Sequence, residues 1–259
     1  MNTPNHHDKT VRFTIKRQKS PRDSFYWEDF DVPCQPGSNV ISCLQWIAAN
    51  PTTINGQTVA PVAWDCSCLE EVCGACTMLV NGAVRQSCSA LIDNLVKGNG
   101  PTITLEPMTK FPVVRDLMVD RKRMFSALVD VKAWVPLDGT HALGPGPTES
   151  PRQQEIRYAL SRCMTCGCCL EACPQYLVDN DFIGAHAISQ VRYFNDHKTG
   201  SVLQDQRLDA MEAPGGISDC GNAQNCVKAC PKEIPLTESI ATIGRQTTIH
   251  AIKKFFSGQ

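Results

Sequence analysis

Two cysteine-rich stretches in the second half of the chain constrain its fold more than any other feature. The first, "CMTCGCCLEACP", occupies residues 163–174, and the second, "CGNAQNCVKACP", occupies residues 220–231. Both have cysteine at their first, seventh and eleventh positions and proline at the twelfth. At the fourth position the first stretch has Cys166, whereas the second has Ala223. Cysteines spaced this closely and regularly predict loops that wrap around a metal centre.

The composition indicates a globular protein that keeps these cysteines reduced. The chain of 259 residues has fifteen cysteines, an odd number, and its opening "MNTPNHHDKT" lacks the apolar segment of a secretory signal. In a reducing compartment, clustered cysteines bind metal more often than they form disulfides. A formal net charge of −1 argues against a nucleic-acid partner. No apolar run approaches the ~20 residues of a membrane span, so we expect a soluble protein or one that a partner holds at a membrane.

The first hundred or so residues predict a small α+β domain. Its strand-like segments lie at residues 11–17, 25–32 and 102–108. A helix is predicted at residues 38–50, with Ser38 as its cap. A hairpin is predicted at residues 77–87, because Asn81 and Gly82 suit a type I′ turn. Strands packed around one helix predict a β-grasp, ferredoxin-like fold.

Beyond Pro112 the pattern becomes helical. Helices are predicted at residues 115–131, 151–161, 185–196 and 237–256. Turn-forming residues predict a loop at residues 136–151. We expect the boundary within residues 108–115, which gives a first domain of residues 1–110 and a second of residues 111–259. The predicted fold class is therefore α+β, with a β-grasp ferredoxin-like domain followed by a mainly helical, bacterial-ferredoxin-like domain.

A third cysteine constellation, "CLEEVCGACTMLVNGAVRQSC", lies in the predicted first domain at residues 68–88. Its spacing is Cys68-x4-Cys73-x2-Cys76-x11-Cys88, which is the plant-type ferredoxin spacing for a 2Fe–2S cluster. A short loop would supply three thiolates and a hairpin strand the fourth, while Gly74 would let the backbone approach the sulfur atoms. A zinc site or reduced structural thiols are the alternatives, although C-x4-C is loose for a zinc knuckle.

Four further cysteines fall outside the predicted ligand sets. Cys66 also precedes Cys73, but it would give a spacing of x6, so we take Cys68 as the ligand. We expect Cys34, Cys43 and Cys66 to be small buried hydrophobic residues. We expect Cys168 to be a bystander, because its neighbours already satisfy the first stretch.

The two C-terminal stretches predict two clusters that share their ligands crosswise. In two-cluster ferredoxins the fourth cysteine of each run ligates the other cluster. This rule predicts a 4Fe–4S cluster on Cys163, Cys166, Cys169 and Cys230, and a second cluster on Cys173, Cys220 and Cys226. Position 223 of the second set is alanine, and a methyl group cannot bind iron. We therefore expect a 3Fe–4S cluster there, unless Cys168 or another group completes the site or the site holds no cluster.

The sequence contains no fingerprint of another cofactor. It has no G-x-G-x-x-G motif and no convincing flavin, haem or nucleophile motif. Its six histidines are scattered: two lie in the N-terminal tail, and we expect the others at the surface or on helices rather than as ligands, namely His141, His186, His197 and His250. One 2Fe–2S, one 4Fe–4S and one 3Fe–4S cluster would make a chain of three redox centres. The sequence thus predicts a protein that carries electrons between reactions catalysed elsewhere.

These three motifs, in this order and at these spacings, resemble the iron–sulfur subunit of succinate dehydrogenase and fumarate reductase. The resemblance covers nearly the whole chain and includes the non-cysteine residue at Ala223. It implies an FAD-containing flavoprotein partner near the 2Fe–2S cluster, which interconverts succinate and fumarate. It also implies a membrane anchor, a cytochrome b, that receives electrons from the 3Fe–4S cluster through quinone or haem b. The complex would lie on the cytoplasmic face of a bacterial membrane.

One departure from the family pattern bears on the anchor. Mitochondrial-type members have tryptophans soon after the proline of the first stretch and histidine after the first cysteine of the second. Here these places hold residues 175–178, "QYLV", and Gly221. The sequence around Cys68 resembles instead the members that pair with a single dihaem cytochrome b, which often use menaquinone. A soluble multi-cluster ferredoxin and the iron–sulfur subunit of another flavoenzyme are the competing functions.

The C-terminal "TIHAIKKFF" alternates basic and apolar residues. Two interpretations are open, a helix on a membrane surface and a helix that packs on its own domain. The second is favoured.

Overall fold

The computed structural model describes residues 9–136 and 147–257. Contacts divide the chain into two compact units, Met1–Asp120 and Arg121–Gln259. The division thus follows Asp120, whereas the sequence predicts it near residue 110. Most of the loop predicted at residues 136–151 lies outside the described residues.

The first unit is built on a mixed five-stranded sheet. Its elements are β1 (Lys9–Arg17), β2 (Tyr26–Cys34), α1 (Val40–Ala49), β3 (Thr77–Val80), β4 (Ala83–Gln86), α2 (Ile92–Asn99), β5 (Thr102–Glu106), β6 (Val113–Arg115) and β7 (Met118–Val119). The strand order is β2-β1-β5-β3-β4, and β6 pairs separately with β7. β1 runs parallel to β5 and antiparallel to β2. The strands and helices together confirm the α+β domain predicted from the sequence.

The core of the first unit lies between one face of this sheet and α1. Val11, Phe13 and Ile15 alternate along β1 and are all fully buried, as the two-residue period of a strand requires. The helix buries Val40, Ile41, Leu44 and Ile47 against them. The predicted cap, Ser38, is wrong by one residue. Asn39 caps the helix, because its side chain accepts a hydrogen bond from Ser42 N while its own N–H donates to Ser42 Oγ.

The predicted hairpin is confirmed as β3 and β4. Asn81 and Gly82 connect the strands with φ values of 51° and 74°, the left-handed pair that a type I′ turn needs. Asn81 Oδ1 also accepts a 2.8 Å bond from Thr104 N, which fastens the turn to β5. The hairpin begins directly after Cys76 and ends two residues before Cys88, so it sets the positions of both cysteines.

The helix predicted at residues 115–131 is only partly correct. Its first part is the β6–β7 hairpin, and α3 begins at Lys122. Asp116 forms the turn at φ 49°, and its buried carboxylate accepts bonds from Arg17 Nε (3.0 Å) and Ala63 N (2.9 Å). These long-range bonds to a buried charge outweigh the local helical pattern.

The second unit is helical. Its helices are α3 (Lys122–Asp130), α4 (Pro151–Ser161), α5 (Cys168–Glu171), α6 (Gly184–Asn195), α7 (Gln204–Glu212), α8 (Asn225–Ala229) and α9 (Leu236–Ser257). α6 is central and packs against α4, α5, α7 and α9. The predictions at residues 151–161, 185–196 and 237–256 are confirmed to within about one residue, because strong apolar periodicity marks these helices. Within the described residues, no helix has both the length and the apolar character needed to cross a bilayer.

Candidate metal centres

The loop that precedes β3 surrounds one sulfur atom with backbone donors. Cys68 Sγ accepts hydrogen bonds from the N–H groups of Glu70 (3.4 Å), Val72 (3.3 Å) and Cys73 (3.3 Å). These three bonds lower the pKa of the Cys68 thiol to about 7. The loop therefore favours a thiolate at Cys68, which is the form that binds metal.

The backbone of this loop takes the conformation that aims its N–H groups inward. Leu69 and Glu71 have φ values of 61° and 55°, and Gly74 has a φ of 73°. Successive turns of opposite hand form a concave nest of N–H donors that suits an anionic group. Ala75 N also donates to Cys73 Sγ at 3.4 Å. The role predicted for Gly74 fits this geometry.

The hairpin presents the other two cysteines of the first constellation. Cys76 and Cys88 are buried and share a hydrogen bond, and burial raises the pKa of Cys76 to about 12. Thr77 Oγ1 donates to Gly74 O at 2.8 Å, and Gln86 Nε2 donates to Thr77 Oγ1 at 2.6 Å. The first bond fastens the loop to the hairpin, and the second joins the two strands of the hairpin. Among the four predicted ligands, the structure places Cys68 in contact with Cys73 and Cys76 in contact with Cys88.

The cysteines assigned to the core divide into two groups. Cys34 and Cys43 are buried as predicted, and their sulfur atoms lie 3.6 Å apart. Cys66 is exposed, so its predicted burial is wrong. Cys66 lies at the start of the loop that precedes β3 and not in the core. The residues around it in the sequence give no sign of this position.

In the second unit the predicted ligands line two cavities. We call the first the four-thiol cavity, which is lined by Cys163, Cys166, Cys169 and Cys230. We call the second the three-thiol cavity, which is lined by Cys173, Cys220 and Cys226, with Ala223 beside them. Each cavity draws cysteines from both C-terminal stretches, in the crosswise sets predicted from the sequence.

The two stretches have the same backbone shape despite the difference at their fourth positions. Thr165 and Gly167 have φ values of 50° and 89°, and Asn222 and Gln224, at the same places in the second stretch, have 52° and 62°. A left-handed non-glycine residue costs about 1–2 kcal/mol. Such strain persists where the surrounding structure imposes it, commonly at functional sites. Ala223 therefore lies in a loop of the same form as the one that presents Cys166.

Two short helices place the later cysteines of each stretch. Cys169 and Cys226 lie in α5 and α8, and Cys173 and Cys230 follow the ends of these helices. α5 packs against α8, and Asn225 Nδ2 donates to Ala172 O at 3.1 Å between them. This pairing brings the end of each stretch towards the other stretch's cavity, which explains the crosswise sets.

Burial controls the electrostatics of both cavities. It raises the pKa of Cys163, Cys226 and Cys230, and raises that of Cys169 well above the ordinary value. The main cause that raises the pKa of Cys166 is the hydrogen bond that its S–H donates to the buried Cys168. Buried thiols crowded in this way become thiolates only beside a cation, and metal coordination deprotonates them outright. An all-sulfur donor set of this kind suits iron–sulfur clusters or zinc.

His186 is a residue of the four-thiol cavity that the sequence does not reveal. It lies on α6 as expected, but it is buried rather than at the surface. Its Nε2 bonds Met124 O at 3.0 Å, and burial lowers its pKa to about 4. The imidazole is therefore neutral at physiological pH and adds no charge beside the thiols. A lone histidine between two alanines carries no sequence signal of such a position.

The fold and the thiol sites together define a protein with a plant-type and a bacterial-type iron–sulfur unit. Residues 12–126 match the family "2Fe-2S iron-sulfur cluster binding domain", and residues 159–234 match the family "4Fe-4S dicluster domain". These matches confirm the predicted fold class and favour iron–sulfur clusters over zinc.

Known relatives identify the family more closely. The chain is 52% identical to the succinate dehydrogenase iron–sulfur subunit of Bacillus subtilis, over 96% of each chain. It is 30% identical to the fumarate reductase iron–sulfur subunit of Mycobacterium tuberculosis, over 73% of this chain and 75% of the relative. The chain belongs to the family of succinate dehydrogenase iron–sulfur subunits, which confirms the resemblance found in the sequence.

A solved structure agrees with the fold. A chain of the "Mycobacterium smegmatis Sdh1 complex in the apo form" has a TM-score of 0.79 and 19% sequence identity, over 96% of this chain and 98% of that chain. At this identity the likeness concerns the fold alone.

Proposed function

We propose that this chain carries electrons between the FAD of a flavoprotein and the quinone or haem b of a membrane anchor, in a succinate:quinone oxidoreductase. The crosswise lining of the two cavities by cysteines of both C-terminal stretches supports this most directly. The proposed ligands are Cys68, Cys73, Cys76 and Cys88 for 2Fe–2S, Cys163, Cys166, Cys169 and Cys230 for 4Fe–4S, and Cys173, Cys220 and Cys226 for 3Fe–4S. The clusters supply one-electron transfer when bound. In this proposal, residues 1–110 bind the 2Fe–2S cluster and residues 111–259 bind the other two clusters.

The residues of each site have distinct tasks in this proposal. The backbone donors around Cys68 offset the negative charge of its thiolate, and hydrogen bonds to ligand sulfur are one of the terms that set reduction potentials. In the same loop Leu69 and Val72 are exposed, so this apolar edge of the first site is open to a flavoprotein. The four-thiol cavity, where Cys166 and Cys169 are buried, would hold the relay cluster.

The three-thiol cavity supports a cluster with an open corner. Among the described residues that line it, Cys173, Cys220 and Cys226 are the only cysteines, and Ala223 occupies the place of a fourth. Cys168, the alternative fourth ligand, is instead hydrogen-bonded to Cys166 of the other cavity. The strained loop shape around Ala223 favours a retained cluster site over a degenerate one.

We assign the anchor to the dihaem cytochrome b type with menaquinone, and the complex to the cytoplasmic face of a bacterial membrane. The similarity to a Bacillus subtilis subunit supports a bacterial complex. Gly221 and the sequence "QYLV" at residues 175–178 support the departure from the mitochondrial type.

Low-temperature EPR of the air-oxidised protein, with iron counted, tests the three-cluster assignment. Oxidised 2Fe–2S and 4Fe–4S clusters are silent, whereas an oxidised 3Fe–4S cluster gives a nearly isotropic odd-electron signal. We expect this signal before reduction and two further signals after dithionite. An oxidised protein without a signal would overturn the 3Fe–4S assignment. Stoichiometric co-purification of a flavoprotein tests the subunit role, and a chain that purifies alone from its native host would favour a free ferredoxin.

A further inference from the structure

The last helix, α9, has two different faces. Its inner face, with Leu236, Ser239, Ile243 and Thr247, is buried against the second unit. This packing agrees with the interpretation favoured from the sequence. The opposite face of α9 is exposed as far as the end of the helix.

The outer face of α9 is apolar where it is most exposed. We define it as Arg245, Ile249, Ile252, Lys253, Phe255 and Phe256. Spacings of three and four residues place these side chains on one side of the helix. Phe255 and Phe256 are 81% and 82% exposed, and Ile252 is 52% exposed. Isolated exposed apolar residues are ordinary, but four that follow one another along a helix indicate an interaction surface.

The charge around this face has one sign. No aspartate or glutamate follows Glu238 in the sequence, whereas Arg245, Lys253 and Lys254 do. Lys254 and His250 turn towards α7, where both bond Asp209, at 2.7 Å and 2.9 Å. Arg245 and Lys253 remain exposed on the outer face. An apolar stripe flanked by cations complements an anionic lipid surface, in which phosphates lie above the acyl chains.

We propose that the outer face of α9 lies on the surface of an anionic phospholipid bilayer. Phe255, Phe256, Ile249 and Ile252 enter the boundary between headgroups and acyl chains, and Arg245 and Lys253 pair with lipid phosphates. The helix lies along the surface, because it lacks the apolar length to cross the membrane. The inference rests on the proposed membrane-bound complex and adds a direct lipid contact of this chain to it.

Vesicle flotation of the cluster-loaded full chain tests the proposal. We expect binding to vesicles of phosphatidylglycerol and phosphatidylcholine, and much weaker binding to phosphatidylcholine alone. The F255S/F256S variant should bind these vesicles at least about tenfold more weakly than the full chain does. K253E should bind about fivefold more weakly, and high salt should reduce binding by the full chain. F125S, which removes an exposed phenylalanine from α3, is the matched control and should bind normally.

Two results would overturn the proposal. One is a full chain that stays with the unbound fraction, and the other is F255S/F256S binding as well as the full chain. A third result would also replace it. If the full chain does not bind vesicles, and F255S/F256S detaches the flavoprotein or the anchor from the purified complex, the outer face is a subunit interface. EPR of the same preparations reports the clusters independently, so failure of lipid binding is distinguishable from failure of the proposed electron-transfer function.

Discussion

The loop around Cys68 and the two cavities of the second unit prepare thiols for metal in opposite ways. In the loop, three backbone N–H groups lower the pKa of a half-exposed thiol to about 7. In the cavities, burial and neighbouring thiols raise the pKa of cysteines such as Cys169. The loop therefore favours a thiolate at Cys68 before metal binds. The buried thiols of the second unit, like Cys76 of the first site, depend on metal to become thiolates.

Because of this difference, cluster assembly should contribute more to the stability of the second unit than to that of the first. When a ligand must lose its proton on binding, metal affinity and folding are coupled, and both depend on pH. The cavities also lie beside the packed helices α5 and α8, where Cys166, Cys169 and Cys226 are buried. In the first unit Cys76 and Cys88 belong to the core, whereas Cys68 and Cys73 lie on the loop that precedes β3.

The largest effect should follow loss of a buried ligand. Cys169→Ala should remove the 4Fe–4S cluster, so iron should fall by about four atoms per chain. The EPR signal of the proposed 3Fe–4S cluster in the oxidised protein should weaken only if the second unit loses stability. Cys168→Ala is the matched control, because it removes a neighbouring buried thiol that does not line either cavity. If the control variant loses the same iron, the assignment of Cys169 over Cys168 is wrong.

The comparison within the second unit can be tested by supplying the missing thiol. Ala223→Cys should complete a second four-iron cluster, because its loop has the same left-handed residues as the loop of Cys166. We expect about one more iron atom per chain and loss of the EPR signal from the oxidised protein. Ala223→Ser, of similar size, should retain the original signal. A variant Ala223→Cys that keeps that signal and its iron count would show that position 223 does not face the cluster.

The thiolate preference of the loop predicts a pH-dependent reactivity. In cluster-free protein, iodoacetamide should modify Cys68 with a midpoint at about pH 7. Because the lowered pKa favours the thiolate, about half of Cys68 is reactive at pH 7, against about 3% of a cysteine with a pKa of 8.5. In urea the backbone donors are lost, so the midpoint should rise and the rate at pH 7 should fall by about 15-fold. A midpoint that urea does not change would contradict the role of these hydrogen bonds.

Sequence predicts those features that arise from local periodicity and spacing. Alternation along β1, the turn at Asn81 and Gly82, and the long helix α9 are read directly from residue order. The crosswise sets of cysteines in the cavities also follow from spacing, because the two stretches repeat one structural unit. Each of these features depends on residues within one short segment or on a repeat of it.

Features decided by distant residues could not be predicted. The β6–β7 hairpin depends on bonds from Arg17 and Ala63 to Asp116, which lie far apart in the sequence. The burial of His186 depends on Met124 from another helix. The left-handed residues of the cluster loops, Thr165 and Gln224 among them, belong to types that rarely adopt this conformation, so composition gives no sign of them.

The smallest expected effect tests these left-handed residues. Gln224→Gly should raise the free energy of unfolding by about 0.5–1 kcal/mol, since glycine removes the left-handed strain but loses more entropy on folding. The melting temperature of the cluster-loaded protein should rise by about 2–4 °C per kcal/mol. Thr165→Gly should stabilise at least as much, because a β-branched residue tolerates positive φ poorly, and Asn222→Gly should have little effect, because asparagine tolerates it well. If the two variants raise the free energy of unfolding equally, the loop that contains Ala223 is as strained as the loop that contains Cys166. A loss of stability in Gln224→Gly would show that the side chain itself, rather than the backbone shape, holds the loop in place.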